Sequence, residues 1–360
     1  LQPINAFGYY LVEAKKPLER RDFIIDQLEA DQVVVEVAGC GLCHTDLGFI
    51  SGDVQTKAGL PLVLGHEISG TVIATGSTYA NMVGTNVIIP AVLPCGECEL
   101  CQSGSENICQ HQEMPGNDFN GGFASHIIVP GKSLCPLPHD LDGFELGQLS
   151  VIADAITTPY QALLRSGLEA GDLAIVIGTG GVGLYMLQHA RNAGAKVIAI
   201  DIDEAKLIAA AQQGADYTIC SKDKDERELK KLVRTLVKEN GLPPYRWQIF
   251  EASGSAGGQA VAYALLSFAG SISIIGFTMA KANIRLSNMM AFDATLRGNW
   301  GCSPKHYPAV VEHVLSGKIT LLDNIETHSL DEINDLIPLA IDHKLERRAI
   351  LVPTLSDFRK

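Results

Sequence analysis

No run of about 18 or more apolar residues occurs in the chain, which excludes an expected transmembrane helix. The N-terminal stretch LQPINAFGYYLVEAKKPLERRDF has no basic leader followed by an apolar core and a small-residue cleavage site, so nothing marks it for export and a cytoplasmic location is expected. Positive charge is scarce. Lys and Arg total 28 against 41 Asp and Glu, a formal charge of −13, which argues against nucleic acid and anionic membranes as general partners while leaving room for a local basic pocket. With 46% hydrophobic and 19% charged residues the composition is that of a globular protein. At 360 residues the chain is long for one core, so two domains are expected. Its 35 glycines suggest many tight turns and a close backbone approach to a ligand.

Nine cysteines in an unexported chain read as thiols and metal ligands rather than disulfides. In VAGCGLCHTDLGFI, residues 37–50, Cys40, Cys43 and His44 form a Cys-x-x-Cys-His string. Taken alone it permits haem attachment, a thiol-disulfide pair, a zinc corner, or two buried cysteines beside a histidine. Haem is the weaker reading, because covalent attachment accompanies export. Further on, PCGECELCQSGSENIC spaces Cys95, Cys98, Cys101 and Cys109 by two, two and seven residues, interleaved with Gly96 and Gly104. Four thiolates on one short loop can wrap a tetrahedral ion, so structural zinc is expected, with an iron–sulfur cluster as the rival. A closed shell leaves no position for substrate, so this site would stabilise and not catalyse.

From residue 173 short β-runs alternate with amphipathic helices. LAIVIG reads as a buried strand, GTGGVG follows, GLYMLQHARNAG reads as a helix stopped by Gly194, and KVIAID is the next strand, ending at Asp201. Gly178, Gly180 and Gly183 thus form a G-x-G-x-x-G with a strand before it and a helix after it. Such glycines let a backbone approach a pyrophosphate at the helix N-terminus, while the Asp201 carboxylate accepts from ribose hydroxyls and repels a 2′-phosphate, so NAD is expected over NADP. The alternation continues through DYTIC, a charged helix around 224–239, RWQIFEAS, a helix from Gly258, and SISIIGF, which predicts a doubly wound parallel sheet. Before 150 the runs VVVEVAG, ISGTVIATG, NVIIPA and FASHIIVP are β-rich instead.

CHTD at 43–46, GHE at 65–67, the four-cysteine loop and GTGGVG at 178–183, in this order, resemble the medium-chain zinc-dependent alcohol dehydrogenases over essentially the whole chain. The resemblance implies an α/β protein: a GroES-like β-rich catalytic domain from 1–154 and 299–360, and a Rossmann NAD-binding domain from 155–298. It implies two zinc ions per chain and a homo-oligomer, dimer or tetramer. The catalytic zinc ligands it implies are Cys43, His66 and Asp154, the last in ADAITTPYQAL, where many members have Cys. Aspartate keeps the ligand charge but is a harder donor, so the metal becomes more Lewis acidic. Asp46 and Glu67 fall where carboxylates tune metal ligands, and Thr45 where a hydroxyl holds the substrate oxygen. His44, Lys206 and Arg348 fall at cofactor-contacting positions, beside the backbone of Gly178, Gly180, Gly181, Val182 and Gly183. Cys40 has no matching role and reads as packing.

The reaction implied is hydride transfer from an alcohol to NAD with the metal as Lewis acid. The stretches MPGNDFNGGFASHIIVPGKSLCPLP and NWGCSPKHYPAVVEHVLSGKI, with the Asp ligand, resemble members of the family that act on a cyclic 6-hydroxyenoyl-CoA thioester, and the resemblance implies an acyl-CoA substrate. Lys281, Arg285, Arg297 and Lys305 are available cations for its phosphates. A polyol or other secondary alcohol is the alternative substrate, and a non-catalytic NAD-binding sensor the alternative of another class. One departure stands out: five residues after Cys43, where many members carry a proton-relay histidine, this chain has Gly48.

Overall fold

The N-terminal part of the chain is built from eight short strands: β1 (Ile4–Leu11), β2 (Glu19–Ile25), β3 (Gln32–Gly41), β4 (Leu62–Val63), β5 (Glu67–Thr75), β6 (Asn86–Ile89), β7 (His126–Pro130) and β8 (Cys135–Pro136). This is a computed structural model describing residues 1–354; residues 355–360, the end of the expected catalytic domain, lie outside the described residues. The chain divides into two units, residues 1–157 with 301 onward, and residues 158–300.

In the first unit β3 is the organising strand. Val33, Val34 and Val35 are all fully buried, because one edge of β3 pairs with β5 and the other is shared by β7 and a strand from the chain's end, Arg348–Val352. That register sets Gly41 opposite both Glu67 and Ile350, so residues far apart in sequence converge at the C-terminal tip of β3. Gly39 lets the 3-10 helix Leu146–Ala153 lie against the same strand, since a Cβ there would stand 2.6 Å from Gly147 O. Leu64, Ile68, Phe123 and Leu351 belong to the core beneath.

The second unit holds six parallel strands, β9 (Leu173–Ile177), β10 (Lys196–Asp201), β11 (Tyr217–Cys220), β12 (Gln248–Glu251), β13 (Ser271–Ile274) and β14 (Thr295–Gly298), in the order β11-β10-β9-β12-β13-β14. The order reverses beside β9, the switch point at which such sheets bind dinucleotides. Capping fixes the helix starts: Asp225 begins Glu226–Glu239 and Ser255 begins Ala256–Ala264. The latter helix therefore starts two residues before the Gly258 expected from sequence. Among the described residues no helix is long and apolar enough to cross a membrane.

Candidate active site and cofactor sites

Cys43 is the N-cap of helix His44–Ser51, immediately after β3, and the Asp46 carboxylate accepts from its backbone N–H at 3.0 Å. The other Asp46 oxygen accepts from Gly65 N at 3.1 Å and lies 3.3 Å from His66 Nδ1. Asp46 is fully buried, so one carboxylate ties the helix start to the loop that carries His66. With Nδ1 against Asp46, Nε2 of His66 is the ring nitrogen left to meet a metal; it is buried, makes no hydrogen bond and faces Asp154 Oδ2 at 3.6 Å. Cys43, His66, Glu67 and Asp154 each offer a donor atom, all within 4.8 Å of one another. Sulfur, imidazole nitrogen and carboxylate oxygen around an orphaned basic nitrogen form a donor set that fits zinc.

Two glycines make this convergence possible. A Cβ on Gly41 would lie 2.1 Å from Glu67 Oε2, and one on Gly65, whose φ is +94°, would lie 2.7 Å from Cys40 Sγ. Cys40 is fully buried against this turn and packs as expected. Burial opposes charge on the His66 ring, but Asp46, then Cys43 and Asp154, outweigh it and hold its pKa well above the ordinary histidine range. Burial pushes Glu67 up to about 7, against the pull of Arg348. Arg348 Nη1 donates to Glu67 Oε1 at 2.7 Å, an almost fully buried ion pair. The structure thus places Arg348 beside the metal donors, a pairing the sequence did not reveal. Thr45 is exposed, its hydroxyl 3.9 Å from Cys43 Sγ. His44, also exposed, stacks on His343 with ring centroids 5.5 Å apart.

The four-cysteine loop closes on itself. Sulfur–sulfur distances of 3.5 Å for Cys98–Cys101, 3.7 Å for Cys98–Cys109 and 3.5 Å for Cys95–Cys109 approach the edge of about 3.8 Å that a tetrahedron with zinc–sulfur bonds of about 2.3 Å requires. Backbone amides of Glu97, Cys98 and His111 donate to the sulfurs at 3.3–3.4 Å. Such amides, first that of Cys101, hold the Cys98 thiol down at about 6. Lys132 and Lys305 clamp the loop through Cys95 O and Gly104 O.

In the second unit Gly178 has φ +83° and a Cβ there would stand 2.5 Å from Ser253 Cα; one on Gly183 would meet Gly178 O at 1.8 Å. Gly180 differs, facing open space, so its missing side chain leaves the loop bare where a pyrophosphate would approach the N-terminus of helix Gly183–Asn192. Gly181 and Val182 complete the turn. Asp201 accepts from Thr179 N at 2.7 Å and Thr179 Oγ1 at 3.1 Å, placing its carboxylate against that loop. Lys206 is exposed on the following helix. Sequence reasoning missed Glu251, a fully buried carboxyl that accepts from Ser253 N at 2.9 Å and braces the residue packed against Gly178. It also missed Tyr307, whose buried phenol donates to Ala153 O, next to Asp154.

Residues 29–139 match the alcohol dehydrogenase GroES-like domain, and residues 181–316 the zinc-binding dehydrogenase domain. An alcohol dehydrogenase of Geobacillus stearothermophilus is 30% identical over 344 residues, covering 94% of this chain and 96% of that protein. The D-arabitol-phosphate dehydrogenase of Enterococcus avium is 27% identical, covering 83% of this chain and 84% of that protein. Among solved structures, the alcohol dehydrogenase of Aeropyrum pernix superposes with a TM-score of 0.86 at 28% identity, covering 96% of this chain and 100% of that one. The chain belongs to the medium-chain zinc-dependent alcohol dehydrogenases. It is an NAD-dependent zinc oxidoreductase acting on an alcohol.

Proposed function

We propose that the chain oxidises a secondary alcohol to the ketone at the Cys43, His66, Asp154 centre, and that its substrate is a cyclic 6-hydroxyenoyl-CoA thioester. The observation that carries the site is the buried Nε2 of His66, unbonded and facing Asp154 with Cys43 and Glu67 in reach. The substrate reading rests on two stretches that resemble 6-hydroxycyclohex-1-ene-1-carbonyl-CoA dehydrogenase, an enzyme of aromatic-acid degradation. Both stretches bond backbone close to the candidate donors. In residues 114–138, Gly121 N and Gly122 N donate to Val63 O and Gly65 O beside His66; in residues 299–319, Tyr307 bonds the residue before Asp154.

Bound zinc would supply the Lewis acidity that favours ionisation of an alcohol hydroxyl, and bound NAD the hydride acceptor. The chain's own residues do the rest. Asp46 fixes the His66 tautomer so that Nε2 points at the donors. The Thr45 hydroxyl takes the substrate hydroxyl proton as the first member of its exit path. Gly48 provides no imidazole for the next step, and an ordered water chain from Thr45 is the route we favour, since a Cβ at Gly48 would meet only Val54 at 3.7 Å. Asp201 receives the adenosine ribose, with Lys206 and His44 as further cofactor contacts, whereas Arg348 is held in its buried pair with Glu67 and balances that carboxylate.

A second reading, a polyol or other secondary alcohol, is favoured by the arabitol-phosphate dehydrogenase likeness. NAD reduction measured against simple alcohols, polyols and cyclic hydroxyacyl-CoA thioesters separates the two. The thioester is expected to be oxidised far faster than ethanol, sorbitol or the free acid, because binding of the remote CoA moiety orients the reacting carbon. Equal rates on sorbitol would move the assignment to polyols.

A further inference from the structure

Asp154 differs from a cysteine at the same position in one mechanical respect. Its donor oxygen sits one bond further from the backbone, with an additional rotatable torsion, so aiming it demands a better fixed main chain. Asp154 caps the 3-10 helix Leu146–Ala153, with φ −142° and ψ −58°, outside the helical range. The hold comes from elsewhere. Tyr307, the first residue of helix Tyr307–Leu315, is fully buried, and its hydroxyl donates to Ala153 O across 154 positions of sequence. The Ala91 amide donates to the same carbonyl at 3.4 Å. On the other side the Thr157 hydroxyl lies 3.4 Å from Asp154 O and contacts the Tyr307 phenol. The phenol thereby holds Ala153 O directly and reaches Asp154 O through Thr157.

We propose that Tyr307 is a positioning residue for the third metal donor: its hydroxyl, acting on Ala153 O, fixes the backbone from which Asp154 reaches the metal. This rests on reading Cys43, His66 and Asp154 as a zinc site. Removing the hydroxyl leaves every donor atom in place and loosens the aim of one.

The test is zinc release from purified full-length Tyr307→Phe to a chromogenic chelator, together with the visible spectrum of the cobalt-substituted protein. Wild type is expected to release two zinc ions per chain in separable phases. In the variant one phase should accelerate by about 10-fold or more, the scale of outer-shell effects on metal sites. The four-cysteine phase should be unchanged, and the cobalt bands should shift. Thr157→Val, which keeps the phenol, is expected to change the same phase in the same direction and guards against a Tyr307 variant that does not fold. A lowered melting temperature with unaltered release and cobalt spectrum in both variants would show plain packing and overturn the inference alone. A wild-type chain that binds a single zinc would overturn the metal reading and the inference with it.

Discussion

The Asp46 carboxylate lies 3.3 Å from His66 Nδ1 while its second oxygen accepts from Cys43 N at 3.0 Å, so a single buried side chain orients two metal donors that come from different elements. Replacing Asp46 by Asn keeps the shape but removes the charge that favours an N–H at Nδ1. Catalytic zinc affinity is expected to fall by about 10- to 100-fold, with the four-cysteine zinc retained. Competition with a chelator of known affinity checks this.

Cys98→Ser should act on stability before it acts on turnover. A broken shell leaves charged or unpaired sulfurs around an unanchored loop, and the expected loss is about 4 kcal/mol or more, the range of metal-site disruption. Denaturant melts with parallel zinc counts measure it.

Asp201 lies against the Thr179 loop, where its negative charge disfavours a 2′-phosphate. Asp201→Ser is expected to narrow the preference for NAD over NADP, read as the ratio of kcat/KM values. A native preference for NADP would contradict the reading outright.

The strand alternation, the four-cysteine loop and the glycine motif were legible because each is local: a period, a spacing or a turn. The proposed donors Cys43, His66 and Asp154 were legible only through resemblance. What escaped depends on chain crossings. Arg348 meets Glu67 across 281 positions because Arg348–Val352 adds to the edge of β3, and Tyr307 meets Ala153 across 154. Helix His44–Ser51 was hidden because cysteine is not among the usual N-cap residues and the cap comes from Asp46. β14 was missed because its residues are largely exposed.

Acid should destabilise the protein through His126. Burial pushes its pKa down to about 4, so the folded state resists a proton that the unfolded chain takes near 6.5. Stability from this group is complete above about 6.5 and is lost as pH falls to about 4, roughly 3 kcal/mol in all. His126→Gln should flatten the stability curve over that window relative to wild type. Parallel slopes would refute the assignment.

A Cβ at Gly48 would meet only Val54 Cγ2, at the ordinary contact distance of 3.7 Å. Gly48→His is expected to introduce a titrating group near the ordinary histidine value of about 6.5 into the pH profile of turnover. His44→Gln should alter NAD affinity more than that profile; a native pH limb that disappears with His44 would make His44 the base and end the water-chain proposal.

The most direct test of the active-site assignment is zinc content measured beside NADH formation in Asp154→Ala. The account predicts a folded protein with one zinc per chain in place of two, held by Cys95, Cys98, Cys101 and Cys109, and no detectable alcohol oxidation. Two zinc ions per chain with undiminished activity would contradict it.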